Sequence, residues 1–340
     1  MKFDVVIGNP PYQEKAKGDS TKDTPVYHHF YNLAGAISDR YCLISPGRFL
    51  FNAGSTDKRW NEQMLNDKHL KVKYYQHKSD VVFPGTDIKG GVVVLYRDAQ
   101  TDFGPIKVFN SNPKLNSILQ KLPQSSKTID TIMTNRGQYR YSDTIYEEHP
   151  ELMKAVSDRR LASNAFSKLE ELFYDEIPNG RNQGDFVSIY GRFKGERCHK
   201  WFEKKYMNQP DNLHFYKVII SKANGSGVLG ESLSPPEILK PGVGYTETFI
   251  SLGCFDTENE AENAIKYIKT KFARILLGVL KITQDATKDK WSMIPLQDFS
   301  SSSNIDWSCE ISQIDKQLYE IYNLSNEDTA FIENTAVEMK

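Results

Sequence analysis

The run Phe3-Asp4-Val5-Val6-Ile7, closed by Gly8 and followed by Asn9-Pro10-Pro11-Tyr12, constrains the fold more than any other feature. A short β-branched segment ended by glycine reads as a buried strand that feeds a loop. Residues 25–40 then carry apolar side chains at helical spacing (Val26, Phe30, Leu33, Ala34, Ile37). Tyr41-Cys42-Leu43-Ile44 is a second buried strand, ended by Ser45-Pro46-Gly47. A helix over 60–67 and strands over 72–75 and 91–96 follow. Strands alternating with helices mean a parallel or mixed sheet with crossovers, so about the first 120 residues form an α/β layer. The polar stretch 13–23 reads as a mobile loop.

Pro123, Ser125, Ser126 and Gly137 then break the pattern, which divides the chain after residue 122. Beyond it, 216–220 is a strand and 224–241 a long loop. The clearest helix covers 257–279. It opens on a capping box of Thr257 and Glu260, with the apolar stripe Ala261, Ala264, Ile265, Ile268, Phe272, Leu276 and Val279. Two short helices follow, the second capped by Ser325 and Asp328. The expected segments are 1–122, a mixed α/β region over 123–300, and a helical tail over 301–340.

Asn9-Pro10-Pro11-Tyr12 carries chemistry suited to an exocyclic amine. The amine lone pair of adenine is delocalised into the ring, and two acceptors on its hydrogens draw it back to nitrogen. The Asn9 amide oxygen and the Pro10 carbonyl are such acceptors, and neither competes as a strong base. The prolines fix two φ angles and preorganise the loop. Tyr12 offers a face on which a base stacks. The position, at the carboxyl end of a strand, is where α/β sheets bind ligands. Asn and Pro are also ordinary turn residues, but this tetrapeptide arises by chance in on the order of one in a thousand chains this long.

The stretch Phe3 to Tyr12 resembles the catalytic motif of adenine-specific DNA methyltransferases of restriction–modification systems, the gamma class. Residues 26–50 are similar to that family's next helix and strand. Val82-Phe83-Pro84 with Asp87-Ile88-Lys89-Gly90-Gly91 resembles its later aromatic motif, and 268–272 and 295–299 resemble its target-recognition region. The resemblance implies that Phe83 stacks on the flipped base opposite Tyr12; a core aromatic is the other reading. It implies an incomplete Rossmann-like methyltransferase sheet over 1–122 and a C-terminal mixed α/β target-recognition domain over 123–300. The implied partner is double-stranded DNA, with the target base flipped out. The implied cofactor is S-adenosylmethionine, which Asn9 and Pro11 would border.

In that class the glycine-rich cofactor loop precedes the catalytic loop, yet only eight residues precede Asn9 here. The expectation is an incomplete or split enzyme, its cofactor half on a separate chain; the alternative is a catalytically inactive DNA-binding fragment. Gly225-Ser226-Gly227-Val228-Leu229-Gly230 spells GxGxxG, but Pro235 and Pro236 leave no room for the helix such a loop must open. Leu252-Gly253-Cys254-Phe255 precedes a helix but has one glycine.

The formal net charge of −1 excludes a whole-chain basic footprint, so DNA contacts must be local. One candidate patch interleaves Arg192, Lys194, Arg197, Lys200, Lys204 and Lys205 with Phe193, Trp201, Phe202 and Tyr206. A second is Lys266, Lys269, Lys271 and Arg274 on the long helix, with Lys281, Lys288 and Lys290 beyond. An ordinary solvated charged face is the competing reading of both. Four scattered cysteines without a CxxC pair argue against zinc and disulfides and suit a reducing cytoplasm. No metal site and no membrane span are expected; no run approaches the ~18 apolar residues a span needs.

Overall fold

The computed structural model describes residues 2–14, 23–51, 55–88, 90–110, 112–123, 127–156, 158–281 and 284–339. Residues 15–22 of the expected mobile loop 13–23, Lys89, Ser125 and Ser126 lie outside them. The fold is mixed α/β, in two compact units, Met1–Gln120 and Lys121–Lys340. Residues 301–340 group with the second unit.

In the first unit, β1 (Val6–Gly8), β2 (Arg40–Pro46), β3 (Leu70–Gln76) and β4 (Val92–Asp98) form a sheet in the order β1-β2-β4-β3. β1 runs parallel to β2; the other neighbours are antiparallel. Helix α1 (Tyr27–Ile37) makes the crossover that parallel strands require. Tyr27, Tyr31 and Ala34 are the face α1 buries; of the expected stripe Ala34 is buried, Val26 and Ile37 are half-buried, and Phe30 and Leu33 are exposed. The aromatic rings decide this. Tyr31 packs on Tyr41, Phe49 and Trp60, and its hydroxyl meets Ser45 Oγ at 3.0 Å. Each such ring contributes about 1.5–3 kcal/mol on burial. Helix α2 (Lys58–Asn66) is capped by Asp57, which accepts from the Arg59 and Trp60 amides.

β1 departs from the expectation of a buried strand. Among the described residues it borders only β2. Val6 packs toward the core, but Phe3, Val5 and Ile7 are 50%, 45% and 76% exposed. Phe30 and Leu33 on α1 are exposed as well. Phe3, Val5 and Ile7 lie two apart and so share one face, which leaves apolar surface exposed there.

In the second unit, β5 (Phe186–Phe193) and β6 (Glu196–Glu203) form a hairpin, with β9 (Val243–Tyr245) parallel to β5. β7 (Tyr216–Ser221) lies between β8 (Glu237–Leu239) and β10 (Phe249–Phe255). β8 falls inside the expected long loop. The expected single helix over 257–279 is two: α3 (Glu258–Lys269) and α4 (Lys271–Leu280). Thr270 is extended (ψ 149°) and caps Ala273, while Asp315 accepts from the Lys271 and Phe272 amides. Those caps satisfy a new helix start and end the old one. Helices α5 (Ile311–Ile321) and α6 (Asn326–Thr335) follow, and both capping boxes form as the residue types dictate.

Candidate functional site

The carboxyl ends of the parallel strands β1 and β2 lie side by side and release Asn9 and Gly47 into adjacent loops. The Asn9–Tyr12 loop is held at its far end. Val26 donates its amide to the Tyr12 carbonyl, Gln13 and Glu14 pair with Thr24 and Pro25, and Gln13 Nε2 donates to Asp23 at 2.8 Å. The loop walls a cavity of about 490 Å³ with Tyr27, Pro46, Arg48, Asp87 and Ile88.

Burial pushes the Tyr12 phenol up, and the Asn9 side chain beside it partly opposes this. Among the described residues the buried Tyr12 hydroxyl nevertheless has no partner at hydrogen-bond geometry. An unpaired buried hydroxyl costs about 1–3 kcal/mol, so this loop is poised for a polar ligand. Phe83, the expected second stacking residue, is not among the lining side chains; its loop presents Asp87 and Ile88 there instead.

Three glycines bring that loop in. Gly47 donates its amide to the Gly91 carbonyl, and a Cβ at Gly47 would come within 2.9 Å of the Gly90 carbonyl. At Gly90 (φ +86°) a Cβ would lie 2.5 Å from Arg48 Cγ. Arg48, Tyr27, Asp87 and Ile88 were missed as site residues; Ser45-Pro46-Gly47 and Gly90-Gly91 were the available signals.

Residues 1–83 match the Eco57I restriction-modification methylase family. That Eco57I-like segment spans β1, α1, β2, α2 and β3, and so holds the Asn9–Tyr12 loop and Arg48. Over 95 residues the chain is 30% identical to an uncharacterized adenine-specific methylase of Mycoplasma pneumoniae, covering 27% of this chain and 22% of that protein. Two solved structures resemble it. One is the type IIG restriction endonuclease BpuSI (8% identity, 92% of this chain and 48% of that one, TM-score 0.30). The other is the type IIL restriction-modification enzyme MmeI in complex with DNA (9% identity, 98% and 56%, TM-score 0.30). The chain spans about half the length of each.

Outside the Eco57I-like segment, the loop at 225–230 opens no helix. Its amides at Ser226 and Gly227 donate to Glu231 at 2.7 and 3.0 Å, and Glu231 pairs with Lys281, which is 2% exposed. The loop already holds an anion, its own carboxylate. Leu252-Gly253-Cys254-Phe255 lies within β10.

The basic candidates separate by burial. Arg192 and Lys194 are exposed around the Lys194–Gly195 turn of the hairpin. Lys204 donates to the Gly184 carbonyl, and Lys205, still half-exposed, pairs with Glu148. Trp201 is half-buried on β6, its backbone paired with Tyr174. Lys200 is buried and pairs with Asp175 at 2.6 Å; Arg197 is engaged by Glu237, Ser221 and the Pro235 carbonyl. Lys200 shares its face of β6 with the buried Phe202, whereas Arg197, three residues away, lies on the opposite face.

On the second patch Lys269 is half-buried and Lys271 pairs with Glu333. Arg274 is a clear correction: it is buried, and its guanidinium donates to four backbone carbonyls. Four of its five N–H donors are thus taken, and at 2% exposure the side chain presents nothing to a phosphate at the surface. Among the described residues no cluster of His, Cys, Asp or Glu is placed to hold a metal, and no helix is long and apolar enough to cross a membrane.

Proposed function

We propose that this chain is part of an adenine-specific DNA methyltransferase of a restriction–modification system, acting on an adenine flipped out of double-stranded DNA. The observation that carries the reading is the Asn9–Tyr12 loop at the end of β1, walling a cavity with an unpartnered phenol inside the Eco57I-like segment. In this reading Asn9 Oδ1 and the Pro10 carbonyl accept the two amine hydrogens and return the lone pair to nitrogen. Tyr12 stacks on one face of the base, and Phe83 closes on the other after a side-chain rearrangement. Arg192, Lys194, Lys204 and Lys205 are the candidate phosphate contacts.

S-adenosylmethionine supplies an activated methyl group when bound. The described residues fit the acceptor side of that reaction. For the donor they offer only the border formed by Asn9 and Pro11, because the glycine loop at 225–230 is filled by Glu231. The reading therefore assigns donor binding to residues outside this sequence, on a further segment or a separate chain that extends the sheet beside β1. The edge position of β1 in the sheet supports this, and the exposed Phe3, Val5 and Ile7 would give such a partner apolar surface to cover. The same open edge favours a second reading, a non-catalytic DNA-binding fragment of such a system.

Transfer of labelled methyl from S-adenosylmethionine to unmethylated DNA separates the two. The assay is run with and without the product of the neighbouring upstream reading frame. Activity that needs both chains and disappears in Asn9→Ala is the expected result. No activity in any combination leaves the fragment reading.

A further inference from the structure

We propose that Arg48 holds a backbone phosphate of the nucleotide whose base enters the Asn9–Tyr12 cavity. The inference rests on the adenine reading above and adds a residue for the part of the ligand that this reading leaves unheld. A base that swings out of a stack brings its sugar and flanking phosphates to the cavity mouth. Arg48 is the one cation among the described lining residues. It stands one residue past Gly47, beyond the carboxyl end of β2 and next to the loop that carries Asn9.

Its stem is laid down rather than free. The Gly90 backbone, at φ +86°, leaves room for Arg48 Cγ where any side chain would intrude at 2.5 Å. A Cβ at Gly47 would come within 2.9 Å of the Gly90 carbonyl, and the Tyr75 hydroxyl donates to that carbonyl at 3.2 Å. Two loops are thus packed together so that one arginine crosses between them, which lowers the entropy lost when the guanidinium takes a ligand. Its charge reaches the Tyr27 hydroxyl on the cavity wall.

The chemistry favours phosphate. A guanidinium is charged at every working pH and its paired N–H groups match two phosphate oxygens. The cavity's carboxylates, Asp23 and Asp87, repel a phosphate. Asp23 is already engaged by Gln13. The anion is therefore directed to the Arg48 side, with the base against Asn9 and Tyr12.

The test needs no recognition sequence. Binding of 2′-deoxyadenosine and of its 5′- and 3′-monophosphates is measured by ligand-observed NMR on the native chain, Arg48→Gln, Arg48→Lys and Asn9→Ala. At least one monophosphate should bind about tenfold more tightly than the nucleoside. Arg48→Gln should erase that gain and leave nucleoside affinity within about twofold, and Arg48→Lys should keep part of it. Should Arg48→Gln not fold, the partial loss in Arg48→Lys decides. Asn9→Ala should weaken all three ligands alike. A phosphate gain that persists in Arg48→Gln, or is absent from the native chain, overturns the role of Arg48 and leaves the adenine reading standing. Absence of nucleoside binding to the native chain overturns the adenine reading, and Arg48's role with it.

Discussion

Replacing Arg274 with Ala should unfold the second unit early and leave the salt dependence of DNA binding alone. Arg274 is 2% exposed. Nε donates to the Lys269 carbonyl at 3.0 Å, Nη1 to Gly230 and Glu231 at 2.9 and 3.2 Å, and Nη2 to Val337. One side chain thus ties the last turn of α3, the glycine loop and the C-terminal segment. Its charge sits on the carbonyl end of α3, where a cation is favoured. Burial pulls its pKa down from the usual arginine range, with Asp315 opposing. Truncation strands four carbonyls and leaves a cavity, but also removes a desolvated charge. The net cost is about 3–5 kcal/mol. For a unit of this size that lowers Tm by about 10 °C. Differential scanning calorimetry on the native chain, Arg274→Ala and Arg274→Lys reads it, beside DNA affinity against salt. An unmoved Tm, with a salt slope reduced by about one, would refute the buried role and restore Arg274 as a phosphate contact.

Gly90→Ala should destabilise the first unit by about 1–3 kcal/mol in urea, from the positive φ and the contact with Arg48; a change inside experimental error would contradict the close loop packing. Lys217 is wholly buried, donates to the Phe215 carbonyl at 2.9 Å, and burial draws its amine down to about 8. The unfolded chain keeps that proton up to its ordinary pKa near ~10.4, so stability should rise with pH between about 8 and 10.4. Lys217→Met should abolish the rise and be more stable at pH 7 by up to about 3 kcal/mol; parallel pH–stability curves would count against it. Replacing Arg192, Lys194 and Lys204 together should weaken DNA binding and flatten its salt slope, whereas an unchanged slope removes the hairpin from the DNA face.

What was legible in the sequence was local. The capping boxes at Thr257 and Ser325 need only residues three apart, and they form. The strand Val6–Gly8 and the Asn9–Tyr12 loop follow from a contiguous β-branched run ended by glycine and two prolines. The break at Thr270 was not legible, because Asp315, which caps Lys271 from 44 residues away, decides it. Nor was the burial of Lys200 and Arg274, whose partners Asp175 and the 230–231 carbonyls come from distant segments. Arg48 and Asp87 reach the cavity only through the contact of Gly47 with Gly90, which no periodicity records. The exposure around β1 misled for a related reason: an apolar β-branched run reads as buried whether or not anything packs on its face.

The central claim is that Asn9 and the Pro10 carbonyl accept the two hydrogens of an adenine amine. Comparing 2′-deoxyadenosine with its N6,N6-dimethyl analogue, which has no such hydrogens, tests it most directly. The native chain should bind the dimethyl compound at least about tenfold more weakly, since two acceptors that the base covers are left unpaired. Asn9→Ala should narrow that difference. Equal affinity of the native chain for the two nucleosides would contradict the account.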